Sequence, residues 1–114
     1  MLKKTVLRGK SDFAAIYNRG KSVGEKYVVL FVKKNGLPYN RIAFLASKKV
    51  GNSVERNRAK RLMKESYRAI RETVAEGYDL LFIARRTIRD LKLADVKPSV
   101  EAAAAKAGVR ETGK

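Results

Sequence analysis

Apolar residues recur along this chain with two different periods, and the changes of period mark its elements. Phe13, Ile16 and Tyr17 stand at i, i+3 and i+4, which predicts a short helix over 12–19 with one apolar face. Ser11 is placed to cap it and Gly20 to end it. The stretch KSVGEKYVVLFVKK is rich in β-branched and aromatic residues. It predicts a short strand that Gly24 bends into a longer one through 26–34. NGLPYN is a turn by its Asn-Gly and Pro content, and RIAFLAS at 41–47 reads as the partner strand of a hairpin. After a second turn, KKVGNS, a 3.6-residue period runs from about 53 to 76 and stops at Gly77. Either Asn52 or Ser53 can cap this helix, and Asn52 has Glu55 three residues on, a variant of the capping box. YDLLFIARR at 78–86 is a buried strand. A final helix over 94–107 would bury Val96, Val100, Ala103 and Ala107, with Pro98 tolerated near its start.

The order helix, two or three strands, long helix, strand, helix predicts one α+β domain over 1–114, with a βαβ unit crossing through the long helix at its centre. Residues 1–9 read as an extended basic arm and 108–114 as a fraying tail. No internal repeat and no Gly/Ser- or Pro-rich linker divides the 114 residues.

Charge changes the picture. The chain carries 27 Lys and Arg against 11 Asp and Glu, a formal net charge of +16, well beyond what solubility requires. A bound polyanion would relieve the self-repulsion, so nucleic acid is the leading partner class and an anionic membrane surface the second. With 45% apolar residues the chain is globular rather than disordered.

The missing residues narrow the chemistry. There is no Cys and no His, hence no thiol nucleophile, no zinc-thiolate site and no imidazole base or ligand. Asp12, Asp79, Asp90 and Asp95 are scattered, and no carboxylate cluster suggests a two-metal nuclease site. MLKKTVLRGK lacks the apolar core of a signal peptide, and YVVLFV and LLFIA are far too short to span a bilayer. These features predict a soluble, cytoplasmic protein with few ingredients for chemistry of its own.

The long helix is where the charge concentrates. At about 100° per residue, Ala59, Leu62, Met63, Ser66, Tyr67, Ile70 and Val74 share one arc that can pack on a sheet. Arg56, Lys60, Arg61, Lys64, Arg68 and Arg71 occupy an adjacent arc of roughly 140°, with Asn57 in its middle and Arg58 on the far flank. A solvated helix normally mixes signs. Like charges at i, i+4, as in Arg56–Lys60 and Lys60–Lys64, instead oppose helix formation. Arginine binds phosphate in two places and stacks on bases, so Arg-Asn-Arg at the head of a helix suits a folded RNA backbone, and Lys48 and Lys49 extend the positive surface.

The run SKKVGNSVERNRAKRLMKESYR strongly resembles the signature of the protein subunit of bacterial ribonuclease P: a Lys-Lys-hydrophobic-Gly-Asn turn, then an Arg-Asn-Arg helix. The match extends to Asp12-Phe13-x-x-Ile16-Tyr17, to Gly20 and to Ile83-Ala84-Arg85, and so spans roughly residues 7–86. The resemblance implies an order α-β-β-β-α-β-α and a four-stranded sheet. It also implies a left-handed βαβ crossover, against the usual hand, and a likeness to domain IV of elongation factor G. It further implies an accessory role: a catalytic RNA, using magnesium ions held mainly by RNA, removes the 5′ leader of precursor tRNA, and no oligomer of the protein is required.

Two surfaces follow from the resemblance. Arg56, Asn57, Arg58, Lys60, Arg61, Lys64 and Arg68 would contact the catalytic RNA. Phe13, Tyr17 and Phe31, with Ser47, Lys48 and Lys49 at the edge, would receive the single-stranded leader. Aromatic faces stack on bases with little sequence preference while cations follow the backbone. On the residues alone, Phe13, Ile16 and Tyr17 also fit the core face of a short helix. Lys3, Lys4, Arg8 and Lys10 suit either phosphate contacts or a solubilising arm, and Arg85, Arg86, Arg89 and Tyr39 read as surface or structural. A ribosomal-type RNA binder, an independent nuclease and a membrane-surface module are the competing classes. The Arg-Asn-Arg run beside an aromatic helix argues against the first, the missing catalytic groups against the second, and the absence of a strongly apolar helix face against the third.

Overall fold

A computed structural model describes residues 9–110, with side chains described from Phe13 onward. Helix α1 spans Gly9–Arg19, and strands β1 (Lys21–Gly24), β2 (Val28–Lys34) and β3 (Arg41–Leu45) follow. Helix α2 runs over Ser53–Ile70, strand β4 over Tyr78–Ala84 and helix α3 over Leu93–Lys106. The sheet order is β1-β2-β4-β3, so the expected α-β-β-β-α-β-α order and four-stranded sheet are present.

The hairpin expected between β2 and β3 does not form. β4 lies between them, antiparallel to β2 with Phe31 opposite Leu81, and parallel to β3 with Ala43 opposite Leu81. The reason is burial. Leu80, Leu81 and Phe82 are successive buried residues, and only a central strand covered on both faces hides such a run. The turn at 35–40 therefore bridges the width of one strand. β1 and β2 are separate antiparallel strands rather than one bent strand, and β3–α2–β4 forms the expected βαβ unit.

The two faces of the sheet are covered unequally. On one, α2 and α3 close a continuous core that includes Val28, Leu30, Met63, Leu80, Phe82 and Val100. Phe82 stacks on Phe44 at 5.6 Å between ring centroids, and Tyr67 meets Phe82 at 5.9 Å. On the other face, among the described residues, only α1 packs. Ile16, Ala43 and Leu81 are buried there, while Phe13, Phe31, Leu45 and Ile83 are only partly covered.

Several element ends differ from the pattern reading. Helix α1 already begins at Gly9, so Ser11 lies inside it and not at its cap. Gly20 does follow its last residue, but for space rather than for a left-handed backbone: a Cβ there would lie 2.4 Å from the Ile16 carbonyl oxygen and 2.6 Å from that of Val32. Helix α2 ends at Ile70, continues as a 3-10 turn over Arg71–Thr73, and gives way to extended chain at Val74. Val74 stays in helical phase with Ile70, which is why the period suggested a longer helix. It is buried instead by pairing with Arg110, and Ala75 N donates to Val109 O at 2.7 Å. Val109 is itself buried, so the chain expected to fray from Gly108 is packed as far as Arg110. Residues 111–114, and the expected arm apart from Gly9, lie outside the described residues. The stripe Val96, Val100, Ala103 and Ala107 is buried as expected.

Candidate nucleic-acid interface

The head of α2 is fixed by a full capping box. Asn52 Oδ1 accepts from Glu55 N, and Glu55 Oε1 accepts from Asn52 N, both at 2.9 Å. Gly51 is needed to leave room for this: its φ is +147°, and a Cβ would stand 2.2 Å from Glu55 Oε1. Glu55 also takes Arg89 Nε at 2.7 Å. The Asn52 backbone hydrogen bond, then the Arg89 side chain, hold its carboxyl below the usual range. Val50 is buried in the core, which anchors the preceding turn and leaves Ser47, Lys48 and Lys49 exposed beside the helix start.

Along α2 the two arcs separate as expected. Ala59, Met63, Ser66 and Ile70 are buried, and Leu62 and Tyr67 are half-buried. Ser66 meets its polar need inside the helix, donating to Leu62 O at 2.7 Å. Asn57, Arg61, Lys64 and Arg68 are exposed, and Arg56 and Lys60 partly so. Arg68 pairs with Glu65 at 3.1 Å, a surface pair of little energetic weight. Arg58 is also exposed, but its Nη2 donates to Leu91 O across to the segment before α3. It stands on the flank, apart from the Arg61–Lys64 face.

The aromatic residues come together on the opposite, thinly covered face. Tyr17 and Phe31 meet edge to face at 4.9 Å and 77°, the arrangement that ring quadrupoles favour. Tyr17 is 46% exposed and Phe13 and Phe31 are half-buried, so their rings are neither core nor free surface. Along this face, the rows Leu45–Ile83–Val29 and Ala43–Leu81–Phe31 lead away from the loop holding Ser47, Lys48 and Lys49. That loop lies where β3 leads into α2, so it is the one predicted group shared by both surfaces.

Pattern reading did not single out two features. Arg85, read as ordinary surface, donates to Glu25 O at 3.1 Å and so fastens the end of β4 to the β1–β2 turn. Tyr39 lines a groove of about 680 Å³ with Asn40, Tyr67, Arg71, Glu72 and Glu76. Its two carboxylates make that groove a poor match for a polyanion. Both features join segments distant in sequence and leave no local signal. Among the described residues no three acidic groups converge where a metal ion could be held, and no helix is long and apolar enough to cross a membrane.

The family described as Ribonuclease P matches residues 1–108. The ribonuclease P protein component of Alkaliphilus oremlandii is 42% identical over 94 residues, covering 82% of each chain. Among solved structures, the RNase P protein of Staphylococcus aureus superposes with a TM-score of 0.86 at 28% identity, covering 96% of this chain and 100% of the other. The RNase P protein of Thermotoga maritima gives 0.81 at 27% identity, covering 89% and 96%.

Proposed function

The chain belongs to the ribonuclease P protein family, and on that premise we propose that it acts as the subunit that grips the single-stranded 5′ leader of precursor tRNA while the partner RNA performs the cleavage. As a ribonuclease P protein component it is an RNA-binding part of a tRNA-processing ribonucleoprotein, and its partner is the ribonuclease P RNA. The finer reading divides the work between two faces. The exposed cations of α2 neutralise phosphates of the folded RNA, and the aromatic face takes the leader. One observation carries it: Tyr17, Phe31 and Phe13 remain accessible on the thinly covered sheet face, away from the Arg61–Lys64 face of α2. Core aromatics would be closed over, as Phe82 is.

Stacking on such rings contributes about 1–3 kcal/mol per base with little sequence preference. That energy raises affinity for leader-bearing substrate across many leader sequences, and the added binding eases the demand for magnesium. The magnesium ions are held by the RNA, where the active site also lies. The setting is the cytoplasm.

Two variants test the division. Arg61→Ala with Lys64→Ala removes two exposed α2 cations without disturbing the buried face. It should weaken binding to the RNA subunit and reduce the salt dependence of that binding. Arg58→Ala is a poorer probe, because it also cuts the bond to Leu91 O. Phe13→Ala should weaken binding of leader-bearing precursor tRNA by about 1–3 kcal/mol, leave leaderless tRNA unchanged and spare subunit assembly. Affinity that does not depend on the leader in the parent protein would return the chain to a general structural RNA binder. Cleavage by the protein without RNA would overturn the assignment of the active site.

A further inference from the structure

Past Phe31 on β2 the chain turns from aromatic to basic. Lys33 lies on the same sheet face as Phe31, about 7 Å further along the strand, and Lys34 points to the other face. Around this end of the sheet, Arg19 at the end of α1, Lys21 at the start of β1, Lys33 and Lys34 line an open groove of about 530 Å³ with Tyr78 and Ala107. Among the described residues no carboxylate lines it. The ion pairs of the described residues use Arg41, Arg68, Arg89, Lys106 and Arg110, and none of these four cations. Asp79, opposite Lys33 on β4, feels the charge of that lysine but takes its hydrogen bonds from Arg41, at 2.7 and 2.8 Å, and from Asn35. Lys21 and Lys33 spend one proton each on the carbonyls of Ala107 and Lys34, both at 3.2 Å, which fixes their ammonium groups at the groove and leaves further donors for a ligand.

We infer that this groove is a second phosphate-binding site, for the distal part of a long leader. A single strand entering beside Lys48 and Lys49 and stacking on Phe13, Tyr17 and Phe31 leaves the aromatic face at Lys33. There four cations that no ion pair of the described residues uses meet its backbone, while Tyr78 offers one more ring. The inference rests on the leader-gripping role of the aromatic face and adds a length dependence to it. Leaders that end within the cleft gain nothing from the groove. Leaders that pass it gain affinity of an electrostatic, sequence-independent kind.

The test is a length series on the reconstituted protein–RNA complex: precursor tRNA with no leader, and with leaders of about 4 and about 16 nucleotides, the bounds of site size for a stacking platform. The parent should show two steps of tightening, one from none to short and one from short to long. The double variant Lys33→Gln/Lys34→Gln should lose the second step and keep the first. Its salt slope on the long leader should be shallower by about 1.4, two phosphate contacts of a single strand. Arg19→Gln, exposed at the end of α1, repeats the test if the strand variant does not fold. A parent without the second step, or a variant that weakens both leader lengths equally, overturns the groove assignment. A parent lacking only the first step instead overturns the leader role of the aromatic face.

Discussion

Asp79 is the only buried acidic or basic side chain among the described residues, and it closes the end of the sheet. Arg41 grips it with two parallel hydrogen bonds, and Asn35 adds a third while tying down the turn that passes β4. Burial pushes the carboxyl pKa up, but the bonds from Arg41 and Asn35 and the nearby positive charge pull it further down, so it lies below its ordinary value. The sign follows from linkage. A depressed carboxylate contributes stability at pH above its unfolded value, about 4, and that contribution is lost as pH falls through the lower folded value. Asp79→Asn should therefore lower stability at neutral pH by about 1–3 kcal/mol, the cost of leaving a partly buried partner unsatisfied. Its loss of stability on acidification should also be shallower than the parent's. Urea unfolding from pH 7 down to pH 3 checks both, and parallel acid limbs would remove Asp79 from the account. Nothing in the sequence announces this pair, because Arg41 and Asp79 lie 38 residues apart and meet only once β4 inserts beside β3.

The helices were the most legible elements, because their signals are local. Asn52 and Glu55 announce the start of α2, and the expected apolar arc is the one it buries as far as Ile70, where the helix stops short of Val74. What a period cannot report is strand partnership. The stretch NGLPYN has turn chemistry whether its flanking strands pair or leave a gap, so a hairpin was the natural and incorrect reading. The candidate site divides the same way. The α2 cations were legible as a face, whereas Arg58's bond to Leu91 O and the basic groove at the sheet end depend on elements brought together by folding. Gly20 joins the two kinds of information. Its position after α1 was readable, but its need arises from the 2.6 Å approach of the Val32 carbonyl to a Cβ at that site. Both obstructing atoms are backbone, so Gly20→Ala must push α1 away from β2. It should destabilise the fold by more than about 1 kcal/mol and widen the gap between Tyr17 and Phe31. Leader affinity should then fall more than affinity for the RNA subunit, which depends on α2 across the sheet. Titration of both ligands on the folded variant checks this, and equal losses would mean that α1 does not set the geometry of the aromatic face.

On the scale of the whole molecule, a charge of +16 acts over dimensions of 36 × 35 × 28 Å. At about 0.01 M salt the screening length is about 30 Å, so each cation feels most of the others and the compact state bears its full self-repulsion. At about 0.1 M the length shrinks to about 10 Å, and the repulsion becomes local. Salt should therefore stabilise the free protein. The same salt weakens binding to the RNA, because each phosphate neutralised on a duplex releases counterions and adds about −0.9 to the slope of log affinity against log salt. The two effects have opposite signs, and a partner that binds only the folded state stabilises it by mass action. The free protein's Tm should thus rise between about 0.01 and 0.1 M salt, while the extra stabilisation conferred by the RNA subunit shrinks. Thermal unfolding at a series of salt concentrations, with and without the RNA, measures both. A free-protein Tm that falls as salt is added would mean that attractive pairs such as Arg41–Asp79 and Arg89–Glu55 outweigh the excess positive charge. The cationic faces would then be balanced within the protein rather than held open for a polyanion.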